Sequence, residues 1–121
     1  LTFTAVGQSG EIMGVNIVPG LQTAIKALFM NTSKLPEVEL KLPESALGKN
    51  TIHAIQAGVL YGYTGLVKGM LEAIRKETGL SFTVVATGGL SSILTSLEGE
   101  FDEVDRNLTL EGLRLIAEAN F

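Results

Sequence analysis

GKNTIHAIQAGVLYGYTGLVKGMLEAIRK, Gly48 to Lys76, is a long helical pattern opened by a polar turn. Asn50 or Thr51 serves as its cap, because a short side-chain oxygen accepts from the unpaired amides of a first helical turn. At about 100° per residue, Gly58, Gly62, Gly65 and Gly69 fall within one narrow arc bordered by Ala54 and Ala73. Ile52, Ile55, Val59, Leu66, Met70 and Ile74 fill the adjoining arc, and His53, Thr64, Lys68, Glu72 and Arg75 take what is left. A glycine inside a helix costs about 1 kcal/mol relative to alanine, so a whole face of them asks for an offset, and close approach by another backbone supplies one. The apolar arc is therefore expected to face the protein's own sheet, and the glycine arc a second helix, from this chain or from another subunit.

Outward from this helix, composition narrows the function classes. The 121 residues suffice for one domain with a sizeable core. A hydrophobic fraction of 45% and a mean hydropathy of +0.33 are high for a free-standing domain and point to surface that meets another domain or chain. Net charge is −4 and the basic residues are scattered, which disfavours nucleic acid and anionic membrane as partners. With no cysteine there is neither a disulfide framework nor thiol chemistry, in keeping with a cytoplasmic protein. The lone histidine, His53, and the want of ligand-spaced carboxylates argue against a built-in metal site. Thr51 to Val67, the longest uncharged run, reads as buried helix and not as a membrane span. No signal-peptide pattern stands at the start, and a chain opening on Leu1 is expected to continue upstream.

In chain order, Leu1 to Val6 alternates as a strand does, Gly7 to Gly10 reads as a turn, and Ile12 to Val18 as a second strand. Pro19-Gly20 then introduces a helix with Leu21, Ile25, Leu28 and Phe29 at helical spacing, ending near Asn31 to Ser33. EVELKL, between Pro36 and Pro43, is expected as a short edge strand or extended arm. After the long helix, Gly79 ends the element and Ser81 to Ala86 is an apolar run of buried-strand type. Thr87, Gly88 and Gly89 turn into an amphipathic helix carrying Leu90, Ile93, Leu94 and Leu97. Gly99 to Asp105 is acidic and expected as solvated loop. A last helix, capped near Thr109, is expected to bury Leu110, Leu113, Ile116 and Ala117. The order is that of a mixed α/β layer without repeat or linker.

Two places suit chemistry. In Val84 to Leu90, VVATGGL, a strand runs into two glycines and a helix; glycine lets a backbone approach a nucleotide, and a helix N-terminus offers free amides. The same turn is common in α/β folds for steric reasons alone. In Gly48 to Thr51, GKNT, an amide and a hydroxyl at a helix start bind a small polar ligand or merely cap the helix. His53 reads as a surface or interface residue and not as a catalytic base. Tyr61 and Tyr63 read as packing residues, and Lys49 as a solvated cation beside the motif.

Taken together, PGLQTAIKALFMNTSKLPEVEL (Pro19 to Leu40), GKNTIHAIQAGVLYGYTGLVKGM (Gly48 to Met70), VVATGGL and LTLEGLRLIAEAN (Leu108 to Asn120) closely resemble the C-terminal half of type III pantothenate kinases, over nearly the whole chain. That family belongs to the superfamily of acetate and sugar kinases and actin, so the resemblance implies a ribonuclease-H-like lobe, a mixed sheet flanked by helices, with residues 1–121 as the C-terminal lobe of a two-lobed kinase. It implies transfer of the ATP γ-phosphoryl group to the primary hydroxyl of pantothenate, the first step of coenzyme A synthesis, with Mg²⁺ on the nucleotide and a monovalent cation such as K⁺ or NH₄⁺. Thr51 inherits contact with pantothenate. Thr87, Gly88 and Gly89 inherit the nucleotide wall. The long helix, Thr51 to Lys76, belongs to the region through which the family forms homodimers.

Parts of the family's machinery do not occur in these residues. The Asp-x-Gly-Asn-Thr phosphate motif and the Gly-Ala-Asp-Arg motif, whose aspartate is the family's general base, would lie upstream. Leu1-Thr2 resemble the last two positions of the second phosphate motif, so its aspartate and phosphate-binding threonine would precede residue 1. No catalytic residue and no metal ligand is therefore assigned in this chain, and the fragment alone is expected to be inactive without its N-terminal half. The remaining alternatives are a superfamily kinase with another acceptor and a non-catalytic interaction module, since relatives of the family have been described as accessory factors of transcriptional activation.

Overall fold

The computed structural model describes residues 1–31, 38–89 and 95–120. They form β1 (Thr2–Val6), β2 (Ile12–Ile17), α1 (Leu21–Asn31), α2 (Thr51–Thr78), β3 (Val85–Ala86), a 3₁₀ segment (Thr95–Glu100), β4 (Glu103–Val104) and α3 (Leu108–Asn120). The class is mixed α/β. Among the described residues the strands form two separate two-stranded sheets, β1–β2 and β3–β4. The chain divides into two compact units, Leu1–Val38 and Glu39–Phe121.

In the first unit β1 and β2 are antiparallel, with Thr2 opposite Ile17 and Ala5 opposite Gly14. The register shifts between Ala5 and Val6, which pairs with Ile12, so Met13 is the extra residue of a bulge. Gly10, at φ 86°, lets the chain reverse between the strands. Leu1 and Val18 exchange both backbone bonds beyond the ladder, at 2.8 and 2.9 Å. β2 is exposed along its whole length, with Ile17 84% accessible. α1 starts after Pro19-Gly20 as its pattern requires, and Leu21 and Ile25 are its buried residues, while Leu28 is exposed.

The second unit is built on α2. Asn50 caps it in extended backbone, its side chain accepting from the His53 amide. The helix stops where Gly79 takes the left-handed conformation, φ 67°, and donates its N–H to the Arg75 carbonyl. Ile55, Gln56, Ala57, Leu60, Thr64 and Val67 are buried. This buried stripe corrects the periodicity reading in part: Ile52 is exposed, and Thr64, expected on the polar arc, lies inside. Burial is tolerable there because the Thr64 hydroxyl donates to the Leu60 carbonyl at 2.8 Å. The glycine arc is open to solvent, and a Cβ built on Gly58, Gly62, Gly65 or Gly69 meets nothing within 4 Å.

EVELKL forms no strand over its described residues 38–42. It is an irregular arm, with the Lys41 N–H turned back onto the Glu39 carbonyl at 3.0 Å, and side chains of α2 hold it: Gln56 Nε2 donates to the Glu39 carbonyl at 2.9 Å, and the Tyr61 hydroxyl to the Pro43 carbonyl at 2.9 Å. Of the strand expected over Ser81 to Ala86, only Val85–Ala86 joins a ladder, parallel to β4. The expected helix at Leu90, Ile93 and Leu94 lies outside the described residues; Leu97 is fully buried in the 3₁₀ segment, which packs on α2.

The acidic stretch does more than face solvent. β4 is inside it, and Asp102 binds Val84 from both ends, its N–H donating to the Val84 carbonyl at 2.8 Å and its carboxylate accepting from the Val84 amide at 2.6 Å. α3 begins a residue before the expected Thr109 cap, the Asn107 carbonyl taking the Glu111 N–H at 2.9 Å. It buries none of Leu110, Leu113, Ile116 and Ala117; Leu110 is 65% exposed. No described element of the chain covers it. Its charges are confined to one stripe, where Arg114 pairs with Glu111 and Glu118. Hydrogen bonding to Arg114 holds the Glu111 carboxyl below its usual range, and Glu111, then Glu118, raise the guanidinium. Fully exposed pairs of this kind add little to stability.

Candidate functional site

Two sequence-derived places carry the candidate chemistry, and both lie in the second unit. The helix start is tightly constructed. Asn50 Oδ1 accepts from the His53 backbone N–H at 2.9 Å, and its own carbonyl accepts from the Ala54 N–H at 2.8 Å. Asn50 Nδ2 lies 3.0 Å from His53 Nδ1, so one side chain holds both the backbone and the ring of the same residue. Gly48 comes against this first turn from outside. A Cβ built on it would stand 2.2 Å from Ala54 Cα and 2.5 Å from its nitrogen, so only glycine fits.

Of the two capping candidates, Asn50 is the cap and Thr51 is the first residue of α2. Thr51 is exposed, and its hydroxyl has no partner among the described residues. That hydroxyl is thus not used by the helix cap. Beside it the arm and the first turns of α2 line a cleft of about 520 Å³. Lys41, Glu44, Ser45, Lys49, His53 and Gln56 supply its charged and polar lining, and Leu42, Pro43, Leu47 and Ile52 its apolar wall. Thr51 itself lies between two lining residues, Lys49 and Ile52, without lining the cleft.

The arm residues Lys41, Glu44 and Leu47 were not identified from sequence as site residues. They belong to no motif, and the prolines flanking EVELKL were the one signal that an arm lies here.

The second place is the turn after β3. Backbone bonds from Asp102 and Glu103 to the Val84 carbonyl, and from Asp105 to the Ala86 carbonyl at 2.8 Å, fix the strand that delivers Thr87. Gly88 has φ 92°, a conformation that a side chain resists, and a Cβ on Gly88 or Gly89 would meet nothing within 4 Å. Thr87, Gly88 and Gly89 are exposed. Thr87, Gly88 and Gly89 do not line the cleft beside Thr51, so the two motifs form separate surfaces. Among the described residues no group of three or more histidines or carboxylates is placed to hold a metal, and no helix is long and apolar enough to cross a membrane.

Comparison with known proteins bears on what these surfaces serve. The family model described as Type III pantothenate kinase matches residues 1–73. A type III pantothenate kinase of Myxococcus xanthus is 48% identical over 115 residues, 95% of this chain and 45% of its own length. Proteins of the same name from Anaeromyxobacter sp. strain Fw109-5 and Syntrophobacter fumaroxidans are 46% and 48% identical over 98% of this chain, covering 47% and 46% of their own lengths. The chain spans about half the length of the curated relatives it matches. With the family model spanning the hairpin, the arm and most of α2, the chain belongs to the type III pantothenate kinase family.

Proposed function

We propose that this chain is the C-terminal lobe, ribonuclease-H-like in fold, of an ATP-dependent pantothenate kinase that forms 4′-phosphopantothenate in the cytoplasm. The observation that carries the reading is the GKNT helix start: Asn50 does the capping, Gly48 is wedged against the first turn, and the Thr51 hydroxyl is left exposed beside a cleft. Thr51 donates to or accepts from pantothenate. Thr87, Gly88 and Gly89 wall the nucleotide, whose flat base and ribose fit an exposed glycine turn.

Phosphoryl transfer rests on positioning and charge stabilisation. Mg²⁺ on the nucleotide and the K⁺ or NH₄⁺ ion come from the family resemblance. Among the described residues no group of three or more histidines or carboxylates is placed to hold a metal, and no step is routed through either ion. The chain's own contribution is to orient the acceptor and to shape the nucleotide wall.

The exposed apolar surface supports two partners in this reading. The N-terminal half would cover part of what β2 and α3 leave open, and a second copy would dock on the glycine arc of α2. Neither nucleic acid nor membrane enters the proposal.

Two experiments test it. The isolated chain should give no pantothenate-dependent ADP release above background, and activity should return when the upstream half is supplied; turnover by the chain alone would overturn the division of labour. In the full-length enzyme, Thr51→Val should raise KM for pantothenate by about tenfold, the loss of one hydrogen bond to a charged ligand, with kcat much less affected. Thr51→Ser should restore it. An unchanged KM would remove Thr51 from the substrate site.

A further inference from the structure

His53 is the titratable group at the helix start to which the reading above gives no task. Its ring is nevertheless held by Asn50. Asn50 Oδ1 accepts from the His53 backbone N–H at 2.9 Å, so the oxygen and nitrogen of that side-chain amide are assigned without ambiguity. The Asn50 nitrogen, 3.0 Å from His53 Nδ1, is then the donor, and Nδ1 is the acceptor. A neutral ring accepting at Nδ1 carries its proton on Nε2. Nε2 has no partner among the described residues, and His53 lines the cleft. The cap therefore holds one imidazole tautomer with its free N–H left for a ligand.

The rest of the lining says what ligand that donor suits. Lys41 and Lys49 outnumber the single acid, Glu44, and Leu47 and Ile52 add an apolar wall. Two cations, a neutral N–H donor and an aliphatic wall match a short aliphatic carboxylate better than a neutral or cationic group.

We infer that His53 is a specificity-determining residue for the acceptor substrate: its Nε2–H, held in place by Asn50, donates to the carboxylate of pantothenate, with Lys41 and Lys49 supplying the charge. This rests on the proposal that the GKNT helix start binds pantothenate. It adds a donor and assigns the cleft to the carboxylate end, so that the hydroxyl to be phosphorylated points away from the arm.

Two substitutions separate recognition from capping. Asparagine at position 53 places its amide where Nδ1 lies and has nothing at the Nε2 position, so His53→Asn keeps the Asn50 partner and loses the donor. Glutamine reaches the Nε2 position with an N–H. In the full-length enzyme, His53→Asn should raise KM for pantothenate about tenfold with kcat little changed, and His53→Gln should stay within about threefold of the parent. Lys49 is exposed outside the helix, and Lys49→Gln should reduce the preference for pantothenate over its uncharged carboxamide about tenfold without altering thermal stability.

The inference is overturned if His53→Asn leaves KM within about threefold, or if the glutamine variant is as impaired as the asparagine one, the pattern of a structural role. Should His53→Asn fail to fold, the Lys49→Gln selectivity decides, and an unchanged ratio counts against the assignment. Thr51→Val provides the remaining distinction. If it raises KM and the His53 and Lys49 variants do not, this inference fails alone; if it too is silent, the pantothenate site lies elsewhere and both readings fail.

Discussion

Alanine at Gly48 is expected to unseat the start of α2 and take substrate binding with it. The added methyl would lie 2.2 Å from Ala54 Cα, 2.5 Å from its nitrogen and 2.8 Å from its Cβ. The first two belong to backbone that is already tied down, because the Ala54 N–H donates to the Asn50 carbonyl at 2.8 Å. A flexible side chain would swing aside; a capped helical turn has to move as a body or lose its cap. Overpacking commonly costs about 1–3 kcal/mol, and a clash with fixed backbone belongs at the upper end, about 3 kcal/mol.

Function should respond more sharply than stability, since the same displacement carries Thr51 and His53 with it. A shift near 1 Å in a positioning group is enough to reduce turnover about a hundredfold. In the full-length enzyme the expected result is a lowered urea midpoint together with a large rise in KM for pantothenate. In the isolated chain Gly112→Ala is the matched control for stability, being a glycine inside α3 where an added Cβ meets nothing within 4 Å. It should leave the urea midpoint unchanged or raise it slightly. If Gly48→Ala melts and turns over like its parent, the turn relaxes around a methyl group and the close approach carries no constraint.

What could be read from sequence follows from how local each feature is. Both ends of α2 were legible because Asn50 and Gly79 act on amides and carbonyls within their own turn. The face of α2 was legible only roughly. Periodicity sorts residues by polarity, and it put Thr64 with the charged residues, whereas a threonine that bonds the carbonyl four residues back behaves as an apolar side chain when buried. EVELKL alternates like a strand, yet its Glu39 carbonyl is taken by Gln56 and the Pro43 carbonyl by Tyr61, so groups that a ladder would need go to side chains 17 and 18 residues away. No local pattern announces such a pairing. The cleft escaped for the same reason, since it exists where that arm meets α2.

α3 failed in the opposite sense. Its apolar residues are spaced for burial, but no described part of this chain buries them, since periodicity marks a face without naming what covers it. The GKNT stretch was legible as a helix start, and even there sequence left open whether Asn50 or Thr51 caps. The geometry divides them, and this division gives Thr51 a free hydroxyl.

The glycine arc of α2 gives a prediction whose sign depends on the assembly. Within one chain, Gly58, Gly62, Gly65 and Gly69 lie opposite the buried Leu60 and Val67, about 180° around the helix, and face open space. Replacing each by alanine removes the entropic penalty of glycine in a helix and should stabilise an isolated subunit by about 1 kcal/mol per position. If a second copy docks its own helix here, as proposed above, the same methyl groups stand between two backbones that glycine allows to touch. Gly62→Ala with Gly65→Ala should then weaken self-association by about a hundredfold, the equivalent of about 2.7 kcal/mol.

Sedimentation equilibrium of the full-length enzyme, with thermal melts over a range of protein concentration, reads both signs at once. In the parent, Tm should climb with concentration, as it must when association stabilises the folded state. In the double variant that dependence should vanish, while Tm extrapolated to the dissociated subunit rises. Stabilisation with the dimer intact would show that the arc is not the dimer contact and that its glycines serve some other neighbour. Destabilisation of the dissociated subunit would mean instead that part of the same polypeptide packs on this face, the alternative that the sequence pattern left open.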